Sequence, residues 1–154
     1  MNRRNLLKYA GFAGFGLGLG CMPAAAFEVT KTESEWKKLL TPEQFAVLRK
    51  EDTESPNSSP LLNEHRKGTF VCAACALALY SSDTKYESGT GWPSFFDVLP
   101  NAVGLKEDNT LFTTRTEVHC RRCGGHLGHM FDDGPKPTGL RYCMNGVAMK
   151  FVPA

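Results

Sequence analysis

No block of like charge stands out in this sequence. Eighteen Lys and Arg face sixteen Asp and Glu, for a formal net charge of +2. Arg3, Arg4 and Lys8 fall in residues 1–26, which hold no acid, so the remainder carries −1. There is thus no basic stripe of the kind that binds nucleic acid. A comfortable membrane span is missing too. The apolar run from Tyr9 to Leu19 is short and interrupted by glycines. Cysteine is scarce enough to count: six in all, with Cys21 in the N-terminal stretch. The other five form two Cys-x-x-Cys pairs and one single residue, which excludes an all-disulfide framework. What is present is an ordinary globular composition, 42% hydrophobic and 22% charged, over 154 residues. That length suits one domain.

Residues 1–26 read as a signal peptide. A basic start precedes the apolar run, and Ala24-Ala25-Ala26 supplies the small residues read by a signal peptidase. Arg3-Arg4-Asn5-Leu6-Leu7-Lys8 resembles a bacterial twin-arginine signal, which exports folded proteins. The expectation is cleavage after Ala26, a mature domain of residues 27–154 starting at Phe27, and a periplasmic location with no membrane attachment. An uncleaved leader would instead anchor the protein. Cleavage before Cys21 would make a lipoprotein, but Gly18-Leu19-Gly20 is a poor lipobox.

Two short helices follow. Thr32-Glu33-Ser34-Glu35 is a capping-box pattern ahead of Trp36, Leu39 and Leu40. Thr41-Pro42-Glu43-Gln44 is a second helix start, with Phe45 and Leu48 on one face. Both are expected to cover a core and to carry no chemistry. Glu51 to Pro60 is polar, with two prolines and three serines, and reads as loop. Tyr80 to Tyr86 alternates weakly, as an edge strand does. Thr69-Phe70-Val71 and Thr110 to Val118 are β-rich, so a strand leads into each cysteine pair.

Cys72 and Cys75, with Cys120 and Cys123, supply four thiols in two tight turns. Zinc takes four sulfurs tetrahedrally at about 2.3 Å, and a two-residue spacer aims both sulfurs of a pair at one ion. The 44 residues between Cys75 and Cys120 exceed a standard zinc ribbon spacing and suggest an inserted sheet. Disulfides and a thioredoxin-type redox motif are the competing readings, although the latter wants a βαβ context not seen here. Four protein ligands leave no open position, so one zinc per chain would be structural.

Cys143 is left without a partner. On a strand, alternation puts Arg141, Cys143 and Asn145 on one face, and Tyr142 and Met144 on the other. A cation and an amide beside a thiol suit a site that stabilises a thiolate, whereas a buried structural cysteine is the plainer reading. His126, His129 and Asp133 reach the same face if the loop from Gly134 to Gly139 folds back. Glycines flank Thr90 ahead of Trp92-Pro93, a tight loop presenting an indole. Core packing of Trp92 and Phe95 weighs evenly against an aromatic wall for an apolar group.

Three motifs together, SGTGWPSF (Ser88 to Phe95), CRRCGGHLGHMFDDGP (Cys120 to Pro135) and RYCMN (Arg141 to Asn145), closely resemble the B-type methionine sulfoxide reductases. The resemblance covers about Glu33 to Phe151. It implies a mainly β domain of two antiparallel sheets, with a four-cysteine zinc site remote from the reaction. It places the nucleophile at Cys143 and the site around it at His126, His129, Asp133 and Asn145. Trp92 then receives the sulfoxide methyl, His126 and His129 donate protons, and Asp133 orients one of them. The expected reaction is reduction of methionine R-sulfoxide, free or in oxidised proteins, through a sulfenic acid. Many relatives carry a resolving cysteine where this chain has Thr90, so reset by an external, thioredoxin-like thiol is expected. The enzyme is expected to act as a monomer, repairing proteins under oxidative stress. A zinc-stabilised binding module, a disulfide-stapled structural domain and a peroxide-reducing thiol enzyme are the rival classes.

Overall fold

A computed structural model describes residues 26–154. Residues 1–25, where the sequence reading puts a leader, lie outside the described part. Helix α1 (Glu33–Leu39) starts at Thr32, whose side chain accepts from the Glu35 amide while the Glu35 carboxylate accepts from the Thr32 amide. Helix α2 (Pro42–Lys50) repeats the device with Thr41 and Gln44. Reciprocal caps of this kind satisfy amides that the first turn leaves free. The two helices bury Trp36, Leu40, Phe45, Val47 and Leu48.

Among the described residues, nine strands make two antiparallel sheets. The smaller runs β2 (Ala78–Ser81), β1 (Gly68–Cys72), β9 (Met149–Pro153). The larger runs β3 (Lys85–Tyr86), β4 (Ser94–Phe95), β8 (Arg141–Met144), β7 (His126–Phe131), β6 (Arg115–Cys120), β5 (Val103–Asp108). Aromatic rings join the two sheets. Phe95 of the larger sheet stacks on Tyr80 of the smaller at 4.3 Å between centroids and meets Phe70 edge-on at 4.9 Å. All three are fully buried. Each such ring contributes about 1.5–3 kcal/mol by burial, and the pairs add directional preference. The mainly β fold with short N-terminal helices agrees with the sequence reading.

Two strand expectations are corrected. Tyr80 to Tyr86 is not one edge strand. Ser81 accepts from the Asp83 amide and starts a 3-10 turn at Ser82–Thr84, which passes the chain from the smaller sheet to the larger. The strand into the second cysteine pair begins at Arg115 rather than Thr110. Asp108 takes hydrogen bonds from the Thr110 amide and hydroxyl at 2.9 and 2.6 Å and closes a turn there. Leu111 and Phe112, β-formers by composition, stand exposed at its tip.

Candidate active site and metal centre

The two cysteine pairs fold alike. Ala76 follows the first in left-handed backbone (φ 58°), and its amide donates to the Cys72 carbonyl at 2.8 Å. Gly124 follows the second (φ 67°), and its amide donates to the Cys120 carbonyl at 2.8 Å. These turns bring the four Sγ atoms within 4.8 Å of one another. Cys72 and Cys123 stand 3.8 Å apart, Cys75 and Cys120 3.5 Å apart. Tetrahedral binding at about 2.3 Å per sulfur asks for sulfurs about 3.8 Å apart, so the donor set fits one thiolate-loving ion. None of the four is disulfide-bonded. Hydrogen bonding with Cys120 pushes the Cys72 thiol up, and lowers Cys75 to about 7 and Cys123 further. Without a cation the four cannot all ionise. The cluster ties β1 to β6 and so fastens one sheet to the other.

Arg49 was given no role by the sequence. From α2 it donates to the Cys123 carbonyl at 3.0 Å and reaches the Cys123 sulfur at 3.5 Å. Its guanidinium lies over Trp36. The helices therefore supply a counter-charge to the cysteine cluster as well as cover.

Cys143 sits on β8, with Ser94 of β4 opposite on one side and His129 of β7 opposite on the other. Alternation holds: Tyr142 and Met144 are buried in the core, while Cys143 faces a cavity of about 140 Å³. Trp92, His129, Asn145, Phe131, Arg115 and Thr53 also line it. Phe95 takes the core position and half-buried Trp92 takes the wall, so the two aromatic readings divide between them. Thr90 reaches the site as well, its Oγ1 3.8 Å from the Cys143 sulfur. Gly128 is required here, because a Cβ on it would lie 2.1 Å from the Cys143 carbonyl oxygen.

His126 and His129 are three apart on one strand, which simple alternation would send to opposite faces. A bulge corrects this. The β6–β7 register shifts between Val118 and His119, and the two rings meet edge to face at 5.4 Å. Each has a carboxylate partner. His126 Nδ1 lies 2.9 Å from Glu117 Oε1, both residues buried, and His126 Nε2 has no partner. His129 Nε2 lies 2.7 Å from Asp108 Oδ2. A carboxylate accepts, so each ring nitrogen facing one carries the proton. The His126 hydrogen bond holds Glu117 below the usual carboxylate range. Asp108 is lowered further, first by Thr110 and then by His129 and Arg115. Burial pushes His129 below its ordinary 6.5.

Asp133 does not meet a histidine. Its exposed carboxylate accepts from Arg141 Nε at 2.8 Å and Nη2 at 2.9 Å, and this pair lowers the carboxyl and raises the guanidinium. Arg141 in turn stacks on Phe131 of the cavity wall at 4.3 Å. The carboxylates that meet the histidines are Glu117 and Asp108, which the sequence reading passed over. Glu117 left one signal, an acid in the middle of a β-rich run. Asp108 left none.

Comparison with known proteins identifies the family. The SelR domain matches residues 40–153. A peptide methionine sulfoxide reductase MsrB of Methanosarcina barkeri is 59% identical over 124 residues, covering 80% of this chain and 87% of the relative. Proteins of the same name from Leptospira interrogans and Agrobacterium fabrum are 53% and 51% identical, covering 96% and 94% of their own lengths. A family match over residues 40–153 and relatives this similar over nearly their whole length settle the family: this chain belongs to the SelR family of MsrB peptide methionine sulfoxide reductases.

Proposed function

We propose that this protein reduces the R epimer of methionine sulfoxide, free or within oxidised proteins, with Cys143 as nucleophile. The observation that carries the reading is the shared cavity of Cys143, His129, Asn145 and Trp92. The Cys143 sulfur attacks the sulfoxide sulfur, and the S–O bond breaks. The oxygen is transferred to Cys143 with one proton, leaving a sulfenic acid and methionine. The thiol sulfur is oxidised by two electrons and the sulfoxide sulfur reduced by two. The histidine pair supplies the proton, His129 being the member on the cavity wall. Trp92 receives the small apolar methyl group and so favours one epimer. Asn145 and Arg141 flank Cys143, two residues away on either side.

The second half of the cycle uses an external thiol. A first thiol condenses with the sulfenic acid, releasing water and forming a mixed disulfide, and a second thiol frees Cys143. A thioredoxin-like protein is the partner of fitting chemistry. Zinc at Cys72, Cys75, Cys120 and Cys123 serves as a structural ion. Its ligands belong to the sheet junction and not to the Cys143 cavity. The leader exports the folded monomer to the bacterial periplasm, where it repairs oxidised proteins. N-terminal sequencing of the exported protein should start at Phe27; a start at Cys21 would refute that processing. One turnover without reductant should leave a dimedone adduct on Cys143. Adduct at any other cysteine, with Cys143 still a free thiol, would refute the assignment.

A further inference from the structure

We propose that Glu54 is a positioning residue that locks Trp92 and Asn145 into one geometry across the cavity. This rests on the sulfoxide reading above and identifies what sets its selectivity. Glu54 belongs to the irregular segment between α2 and β1, where Thr53 and Ser55 beside it are exposed and Glu54 is half-buried. Every polar group it owns is used, and every partner is distant in sequence. Its amide donates to Asn145 Oδ1 at 3.0 Å. Its carbonyl accepts from the Trp92 indole Nε1 at 3.1 Å. Its two carboxylate oxygens accept from the amides of Gly146 and Val147 at 2.6 and 2.9 Å.

Those two amides open the 3-10 turn Gly146–Ala148, which Asn145 precedes without capping it by its own side chain. The first amides of a helical turn have no internal partner. Glu54 fills the capping role from another segment, and a charged acceptor makes these bonds stronger than neutral ones. Asn145 is thereby released from capping and held by both ends, with its Nδ2 donating to the Leu127 carbonyl at 3.0 Å and its Oδ1 on Glu54. An amide has two N–H donors, so one Nδ2–H remains for the cavity.

Packing alone does not place this segment. A cavity of about 720 Å³ lies against it, with Thr53, Glu54, Gly146 and Val47 among its walls. The four hydrogen bonds are what set the distance from indole to amide. Cys143 is placed independently, by the strand pairings to Ser94 and His129. Glu54 therefore acts on the substrate's orientation and not on the thiol.

The test compares Glu54→Gln and Glu54→Ala with the parent as full mature protein. Three readouts apply: kcat/KM on each epimer of N-acetyl-methionine sulfoxide, the rate of Cys143 alkylation by iodoacetamide, and hydrogen exchange of the two indole N–H groups by NMR, assigned with Trp92→Phe. Glu54→Gln keeps one acceptor oxygen but points an amide N–H₂ at a backbone amide. The expected result is a loss of kcat/KM of about ten-fold for Gln and more for Ala, and faster exchange at the Trp92 indole alone. Alkylation of Cys143 stays within about two-fold of the parent, since Glu54 makes no bond to β8. Unchanged Trp92 exchange in both variants would overturn the proposal, as would kcat/KM within about two-fold of the parent. The exchange measurement needs no substrate, so the clamp is tested even if the parent turns over neither epimer, a result that would refute the sulfoxide reading instead.

Discussion

The Oγ1 of Thr90 lies 3.8 Å from the Sγ of Cys143, on a loop whose hydroxyls are already joined. Thr90 bonds Ser88 at 2.9 Å, and Ser88 bonds Ser94 at 2.7 Å. The position where the motif resemblance expects a resolving cysteine is occupied here by a hydroxyl 3.8 Å from the Cys143 sulfur. Thr90→Cys should create an internal route. A single turnover of the variant without reductant is expected to consume two thiols and to give, by mass spectrometry, a disulfide between the introduced thiol and Cys143. The parent is expected to give a sulfenic acid. A variant that still accumulates sulfenic acid would show that the loop cannot bring the two sulfurs together.

Metal removal should cost the fold and not merely the rate. The four cysteines join β1 to β6, and so the smaller sheet to the larger, and their thiols cannot all ionise without a cation. Binding to such a site is coupled to folding. Elemental analysis should return one zinc per chain. A strong chelator should lower the thermal midpoint by at least about ten degrees. An unchanged midpoint after complete metal removal would contradict a structural role.

Glu117 is a buried carboxylate whose hydrogen bond is to His126. Glu117→Gln should keep the packing and weaken the hold on the imidazole. Turnover is expected to fall about ten-fold or more, with melting nearly unchanged. Glu117→Ala removes the acceptor altogether and should also cost about 1–3 kcal/mol of stability. Parent-like turnover in both variants would detach Glu117 from the reaction.

Acid should weaken the fold before it reaches the ordinary carboxylate range. Burial pushes His129 and His119 below their ordinary 6.5. The unfolded chain then binds protons there more readily than the folded one, so stability falls as pH falls. This contribution is complete above pH 6.5 and is lost on passing down through the lowered folded values. Glu117 and Asp133, held low by His126 and Arg141, add a second loss at more acidic pH. Thermal melts should be flat from about pH 8 to 7 and drop below about 6.5. A midpoint that rises on acidification through this window would contradict the burial of the two histidines.

Much of the fold was legible because its signals are local. The capping boxes at Thr32 and Thr41, the paired cysteines and the alternation around Cys143 each involve a few neighbouring residues. Asn145 was legible through that alternation and Trp92 through its glycine-flanked loop, with the motif resemblance added to both, and the cavity holds both. What escaped depends on partners far apart in sequence. Asp108 and Glu117 reach the histidines only through the β5–β6–β7 pairing and its bulge. Arg49 meets Cys123 across 74 residues, and Glu54 meets Val147 across 93. The motif resemblance set Asp133 beside a histidine, but Arg141 on the neighbouring strand holds it instead. The Thr110 strand failed for a different reason. β-favouring composition there was outweighed by one aspartate accepting from the turn that follows it.

The central claim is tested most directly by a chiral turnover assay on residues 27–154. Racemic N-acetyl-methionine sulfoxide with dithiothreitol would be resolved on a chiral column, with Cys143→Ser alongside. The account predicts loss of the R epimer alone, and none in the variant when it is folded and metal-loaded. Consumption of the S epimer at a comparable rate, or turnover retained without Cys143, would contradict it.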